Sequence, residues 1–219
     1  MAVSSIDPNK KTIIFDFGNV LINLDFERCF DAYEQLIGTR WDMHNMPADI
    51  TSAIHKYDRG HISDEAFIWV FQQYSDSSDP RAFIAAWNSL LGDIKKERLA
   101  MLERLRSDYN LVILSNINNL HLRKIYIYLK KEYGITDFEN RYFDHVFYSH
   151  HIGMRKPDAE IYPYVTETLK VNKSDILFID DLSENITEAQ SYGWHGQVHI
   201  PQDEIVENIE GYLSEAFLA

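Results

Sequence analysis

Apolar and polar positions alternate between two regimes along the chain. Residues 12–16 (Thr-Ile-Ile-Phe-Asp) form a short β-prone apolar run that ends in a carboxylate and is followed by Gly18, the pattern of a buried strand entering a loop. Runs at 111–115, 145–148 and 176–180 repeat that design, and a weaker one follows at 197–200. Between them, helical periodicity covers 95–106, 118–133, 158–170 and 183–192, with Gly193 placed to stop the last. Strands alternating with helices predict a parallel sheet covered on both faces.

Residues 24–94 break the alternation. The pattern is helical throughout and holds Trp41, Trp69 and Trp87, three of the four tryptophans. It predicts a separate helical insertion with helices over 26–37, 46–57, 63–74 and 79–91, so that residues 1–23 and 95–219 form the core domain and 24–94 the inserted one. Ser63, followed by Asp64 and Glu65, supplies a capping hydroxyl and two acids at the positive end of a helix dipole. The polar segment 75–80 is expected to be a surface turn.

A chain of 219 residues buries roughly 70% of its unfolded surface and needs no disulfide or structural metal to hold a core. The formal charge of -13, with no basic run, argues against nucleic acid and anionic membranes as partners. Apolar stretches such as 11–24 are interrupted by Asp16, Gly18 and Asn19, well short of the roughly 20 residues of a membrane span. Residues 1–11 show neither a signal-peptide core nor an Arg-rich amphipathic pattern, and a single cysteine, Cys29, offers no internal bridge. The expected address is cytoplasmic.

Ligands of open parallel sheets bind beyond the carboxyl ends of the strands. Asp16, Ser115 and the pair Asp180-Asp181 stand there, and the loop at 153–157 (Gly-Met-Arg-Lys-Pro) adds Lys156. Carboxylates on neighbouring strand ends repel one another in a partly dry cleft unless a divalent cation joins them, and magnesium suits oxygen ligands. A lysine and a strand-end hydroxyl beside that metal suit a dianionic phosphate.

Those four segments, Phe15-Asp-Phe-Gly-Asn-Val-Leu21, Leu114-Ser-Asn116, Gly153-Met-Arg-Lys-Pro157 and Ile179-Asp-Asp-Leu-Ser-Glu-Asn185, resemble the four motifs of the haloacid dehalogenase superfamily in their usual order. They are most similar to the bacterial alpha-D-glucose-1-phosphate phosphatase group, and the stretch 58–67 in the insertion also fits that group. The resemblance implies an α/β fold, a doubly wound Rossmann-like core with an inserted α-helical cap. It implies a Mg2+-dependent phosphatase acting on a small phosphate ester, such as a hexose 1-phosphate, through an aspartyl-phosphate. Asp16 would be the nucleophile and a metal ligand, with Asp181 and the backbone carbonyl of Gly18 completing the protein's metal set, and Asp180 and Asn185 standing behind them. Ser115 and Asn116 would bind the phosphoryl oxygens, and Lys156 would neutralise nucleophile and transferred group. The insertion would close the site and select the substrate.

The chain departs from that pattern at Gly18, where most phosphatases of the superfamily carry a second aspartate that protonates the leaving oxygen. Substrates whose leaving group needs less protonation, such as sugar 1-phosphates and acyl or aryl phosphates, are then expected to react best. Asp58 or His61 could substitute as proton carrier. Two readings compete: a 2-haloacid dehalogenase, which uses the same aspartate on carbon without a metal, and a non-catalytic phosphometabolite-binding protein. Asp181 stands against the first, and the joint presence of Asp16, Lys156 and Asp181 against the second. One of Asp180 and Asp181 also suits an N-cap of the helix at 183. The nine histidines, including the pair His150-His151, match no zinc spacing, and Cys29 reads as a packed thiol. Periodicity leaves monomer and homodimer open.

Overall fold

The computed structural model of the chain describes residues 6–42 and 44–218. Its centre is a parallel sheet of β1 (Thr12–Phe15), β2 (Asn110–Ser115), β3 (His145–Tyr148), β4 (Ile176–Asp180) and β5 (His195–Val198), in the order β3-β2-β1-β4-β5. The chain steps outward from β1 to β3 and then returns to the other side of β1, so the strand order reverses between β1 and β4. Phe15 pairs with Ile113 on one side and Ile179 on the other, which brings the carboxyl ends of β1, β2 and β4 level.

All of β1, β2 and β4 is buried, yet their side chains still alternate. Ile13, Phe15, Leu111, Ile113, Leu177 and Ile179 face one apolar layer, built with α5 (Lys96–Leu105), α6 (Asn119–Tyr133) and α11 (Ile205–Phe217). Ile14, Val112, Leu114, Ile176 and Phe178 face the other, built with α9 (Ile161–Leu169) and α10 (Ser183–Tyr192). The core is therefore α/β and doubly wound, as the alternation of runs predicts. Two short helices, α7 (Phe138–Tyr142) and α8 (Ser149–Ile152), flank β3.

The segment with the tryptophans folds into α1 (Phe26–Ile37), α2 (Ala48–Asp58), α3 (Asp64–Gln72) and α4 (Pro80–Asn88). Asp25, Ser63 and Asp79 cap three of them by accepting backbone N–H groups. Their apolar faces meet in a further cluster around Cys29, Tyr33, Phe67, Phe71, Phe83 and Trp87, with Tyr57 stacked on Phe67 at 4.2 Å, and Leu120 of α6 joins it from the core. Trp41 and Trp87 belong to that core, whereas Trp69 is exposed. The ways in and out run antiparallel: Asn23 N donates to Asp93 O (3.0 Å), Gly92 N to Asn23 O (2.7 Å) and Asp25 N to Leu90 O (2.8 Å). Position 92 needs glycine here, since a Cβ would stand 2.8 Å from Asn23 O.

Several elements differ from their predicted extents. β5 begins at His195 rather than 197, because α10 ends at Tyr192 with Gly193 as its cap, and the buried Trp194 ring brings the chain straight back into the sheet. α9 begins at Ile161 rather than 158, because residues 155–161 first make two turns closed by Asp158 N to Arg155 O and Ile161 N to Asp158 O. α4 stops at Asn88, where the chain enters the linker.

Arg98, 1% exposed on α5, ties the scaffold to the loop after β1. Its Nη1 donates to Leu21 O at 3.2 Å while Nε and Nη2 reach Glu204 at 3.3 Å. Arg98→Ala leaves a buried carbonyl unpartnered, and is expected to lower stability by about 2–4 kcal/mol in urea unfolding.

Candidate active site

β1 delivers Asp16 to the point where the strand order reverses, with its N–H fixed to Ile179 O at 2.8 Å. The chain then folds back: Leu21 N and Ile22 N both donate to Phe17 O at 2.9 Å, and Asn19 takes a left-handed conformation with φ 55°. On the neighbouring strand end, Asp180 is fully buried and Asp181 follows it. One oxygen from each of Asp16, Asp180 and Asp181 lies within 4.8 Å of the others.

Lys156 meets this cluster from the loop after β3. It is 1% exposed, its Nζ lies 5.1 Å from the centroid of the Phe178 ring, and it donates to Asp16 Oδ1 (2.8 Å) and Asp180 Oδ2 (2.6 Å). Its main chain is clasped by Asn116, whose Oδ1 accepts from Lys156 N (2.9 Å) and whose Nδ2 donates to Lys156 O (2.8 Å). Asn116, expected at the phosphoryl oxygens, thus has its side-chain amide committed to holding the lysine. Ser115 is buried at the end of β2 beside it.

The two adjacent aspartates live differently. Asp180 accepts from Lys156 Nζ, from Leu182 N (2.8 Å) and from Asn185 Nδ2 at both oxygens (2.9 and 3.0 Å). Neither aspartate caps α10, whose flanking residue is Leu182 with no side-chain cap bond. Asp181 is half-buried and accepts from Asn19 Nδ2 at 2.8 Å. Asn185 places its Nδ2 on Asp180, and its Oδ1 is a buried oxygen without a protein donor.

Three carboxylates face one ammonium. Burial, reinforced by Asp180 and Asp181 and opposed by Lys156, pushes the Asp16 carboxyl up to about 7. Asp181 is raised too, by burial and by Asp180, against the pull of Asn19. Burial alone would lower the Lys156 ammonium, but the facing carboxylates Asp16 and Asp180 outweigh it and hold the group above its ordinary value. The donor set is all oxygen and under-neutralised, which fits a hard divalent cation such as magnesium.

Gly18 is closely covered beside Asp16. A Cβ there would stand 2.8 Å from Leu24 Cδ1 and 3.9 Å from Asp16 Oδ2, so the Leu24 side chain fills the place that a longer residue would enter. Of the suggested substitutes, His61 is exposed and lines a surface hollow with Thr51, Lys56 and Arg59. Asp58 is buried at the end of α2 and accepts from Asn118 Nδ2 at 3.3 Å. Burial pushes its carboxyl up to about 6 against Arg155, Asn118 and Arg59. Arg59 pairs with Asp158, and a Cβ on Gly60 would come within 2.2 Å of His150 O. The end of α2 therefore sits on the loops that follow β2 and β3. Neither Asn19 nor Asn118 is singled out by the sequence reading, although an asparagine after the Gly18 position is the residue type that tolerates a left-handed turn.

Among the described residues, Asp16, Asp180 and Asp181 are the only cluster of metal-ligating side chains. His150 instead sets Nδ1 2.7 Å from Ile117 O, and burial lowers it to about 4. Cys29 is packed in the helical cluster, where burial pushes its thiol up to about 12.

An α/β sheet with an acidic cluster at its switch point, a buried lysine among the carboxylates and a helical segment after the first strand defines a class of hydrolase. The chain belongs to the haloacid dehalogenase-like hydrolases, whose family model matches residues 10–193. It is 25% identical over 193 residues to a D-ribitol-5-phosphate phosphatase of Bacteroides thetaiotaomicron, covering 84% of this chain and 89% of that protein. A haloacid dehalogenase family enzyme from the same organism, solved with magnesium and inorganic phosphate, superposes with a TM-score of 0.75 at 28% identity over 90% of this chain and 97% of its own. The chain is also 28% identical over 212 residues, 94% of its length, to the drimenol cyclase drtB of Aspergillus calidoustus, but spans only 37% of that protein.

Asp58 ionises in the unfolded chain near the ordinary value of 3.8 and in the fold only near 6, so its contribution to stability falls as pH rises across that window. Asp58→Asn removes the penalty: it is expected to be more stable than the wild type by about 1–3 kcal/mol at neutral pH, with the gap closing towards pH 4, in urea unfolding series.

Proposed function

We propose that the protein is a magnesium-dependent phosphatase of a small phosphorylated metabolite, a sugar or polyol phosphate. The observation that carries this reading is the Lys156 ammonium held between Asp16 and Asp180, with Asp181 beside them. That arrangement provides a nucleophilic carboxylate and a fixed positive charge where a phosphoryl group would arrive. Asp16 and Asp181, with the carbonyl of Gly18, would hold the cation, which supplies charge neutralisation for the phosphoryl group and the nucleophile. Asp180 is already engaged by four donor contacts from Lys156, Leu182 and Asn185, which supports Asp181 as the ligand and Asp180 as the anchor of the lysine.

In this reading an Asp16 oxygen attacks phosphorus in line, the P–O bond to the leaving alkoxide breaks, and an aspartyl-phosphate forms. Lys156 balances the charge on the transferred group. Water then attacks the phosphorus of the acyl phosphate and breaks its bond to the Asp16 oxygen, releasing phosphate and free Asp16; the proton this water gives up to solvent balances the one the departed alkoxide takes from solvent. The helices of residues 26–88 serve as the cap, and one cysteine with no bridge agrees with a cytoplasmic setting. No helix among the described residues is long and apolar enough to cross a membrane.

The substrate follows from the leaving group. With Gly18 and the apolar Leu24 side chain at the place of a proton donor, an anomeric sugar phosphate reacts more readily than a primary alkyl phosphate. The likeness to a D-ribitol-5-phosphate phosphatase favours instead a terminal phosphate on a polyol. A dehalogenase needs only the nucleophile and the lysine, and Asp181 would have no work in it.

The test is phosphate release with magnesium and with chelator. The expected result is cation-dependent release that falls roughly a thousandfold or more in Asp16→Asn, with glucose 1-phosphate ahead of glucose 6-phosphate by about tenfold or more. Release that survives Asp16→Asn would overturn the nucleophile. Ribitol 5-phosphate outrunning glucose 1-phosphate would overturn the leaving-group argument and favour the polyol reading.

A further inference from the structure

Asn19 is the side chain among the described residues that donates to Asp181, with Nδ2 2.8 Å from Oδ2. The other end of the same amide, Oδ1, accepts the backbone N–H of Leu24 at 3.2 Å. Leu24 is the middle residue of the linker into the helices, pairs with Leu91 of the returning linker, and its side chain fills the space beside Gly18 and Asp16. One planar group thus bridges a carboxylate of the cluster and the linker into the helical segment. Turning the amide to follow one partner must displace it from the other.

The identity of residue 19 is set by three demands that meet there. The backbone is left-handed, with Asn19 N donating to Ile22 O at 2.7 Å to close the turn. The side chain must donate to a carboxylate and accept from an amide. Asparagine combines a short donor-acceptor pair with tolerance of positive φ; aspartate lacks the donor and glycine lacks both groups.

We infer that Asn19 is a positioning residue through which the linker sets the orientation of Asp181, and with it the affinity of the carboxylate cluster for a divalent cation. The inference rests on the reading of Asp16 and Asp181 as cation ligands. Partners that orient a ligating carboxylate change metal affinity by about 10- to 100-fold when removed. An oxygen held through the linker also makes the position of the helical segment felt at the cation, without any of its own side chains touching the cation.

The experiment is calorimetric titration of Mg2+ alone into the wild type, Asn19→Gly, Gly92→Ala and the double variant, with melting curves of each without metal. Glycine adopts φ 55° freely, so Asn19→Gly deletes the amide and keeps the turn. It is expected to bind Mg2+ about tenfold or more weakly. Gly92→Ala, whose new Cβ would press on Asn23 O, displaces the linker without touching Asn19 or a carboxylate side chain directly. It is expected to weaken Mg2+ binding severalfold in the wild-type background and to have less than half that effect, in free energy, once Asn19 is removed.

Wild-type affinity in Asn19→Gly overturns the positioning role. Strictly additive effects in the double variant overturn the coupling to the linker. Asn19→Ala deletes the same amide but strains the left-handed backbone, so a change in Mg2+ affinity seen with alanine and not with glycine would assign the effect to the backbone and also overturn it. A wild type that binds no Mg2+ removes the cation reading itself, and the inference with it.

Discussion

Three carboxylates gathered around one ammonium, in a place from which water is largely excluded, set the terms for the rest of the site. Like charges this close, with oxygens within 4.8 Å, cost free energy that Lys156 offsets only in part. The surrounding contacts keep the balance from shifting. Asn116 grips the lysine main chain at both its N–H and carbonyl, the Phe178 ring lies beneath its ammonium, and Asn185 with Leu182 N fills the remaining acceptor positions of Asp180. What is left under-neutralised is the pair Asp16 and Asp181, the side chains raised in pKa by their surroundings. The architecture stores its uncompensated charge at the point where a cation and a phosphoryl group would use it.

That constraint reaches back into the sheet. Parallel pairing of Phe15 with Ile113 and Ile179 makes the ends of β1, β2 and β4 level, and the reversal of strand order between β1 and β4 leaves a crevice above them. The loop after β1 cannot simply leave this crevice, because Phe17, Val20, Leu21 and Ile22 are drawn into the apolar layer below and Arg98 holds the Leu21 carbonyl. The chain must therefore turn at Gly18 and Asn19 within a few residues of Asp16. The absence of a side chain at 18 and the left-handed backbone at 19 belong to that tight return as much as to chemistry.

The parts of this molecule legible in sequence are those where one local pattern suffices. β1, β2 and β4 are unbroken apolar runs because both faces are covered, and Asp16, Lys156, Asp180 and Asp181 stand in motifs with a recognisable order. α1 and α10 are read to the residue, since Asp25 and Gly38 bracket the first and Gly193 ends the second. α11 goes unread although Ile205, Ile209 and Leu213 share one face, because acids at 204, 207 and 210 break up the apolar run and no capping side chain announces it. Asn116 shows what motif position omits. Its place beside Ser115 suggests the phosphoryl oxygens, while its actual partners lie 40 residues away on Lys156. Asn19 with Asp181 and Asp58 with Asn118 are likewise long-range pairs, 162 and 60 residues apart, and no window of sequence contains both members.

The helical segment touches the site from two sides, and the two contacts differ in kind. At the linker, backbone hydrogen bonds join two short extended stretches around an isolated Leu24–Leu91 bridge. At the end of α2, a buried carboxylate on Asn118, the Arg59 pair with Asp158 and the close approach of Gly60 to His150 form a closely packed contact. A third contact lies on α6, where Leu120 joins the apolar cluster of the helical segment, the His121 ring stacks on Trp87 at 4.8 Å and Leu120 N donates to Tyr57 Oη at 3.1 Å. The helical segment is thus held on the core by packing as well as by the linker. Burial at the end of α2 is what keeps the Asp58 carboxyl raised, since water would stabilise its charged form. At the linker the constraint is steric and polar instead: Leu24 packs beside Gly18 while its N–H is held by Asn19, so the same residue that closes the space next to Asp16 is tied to the partner of Asp181.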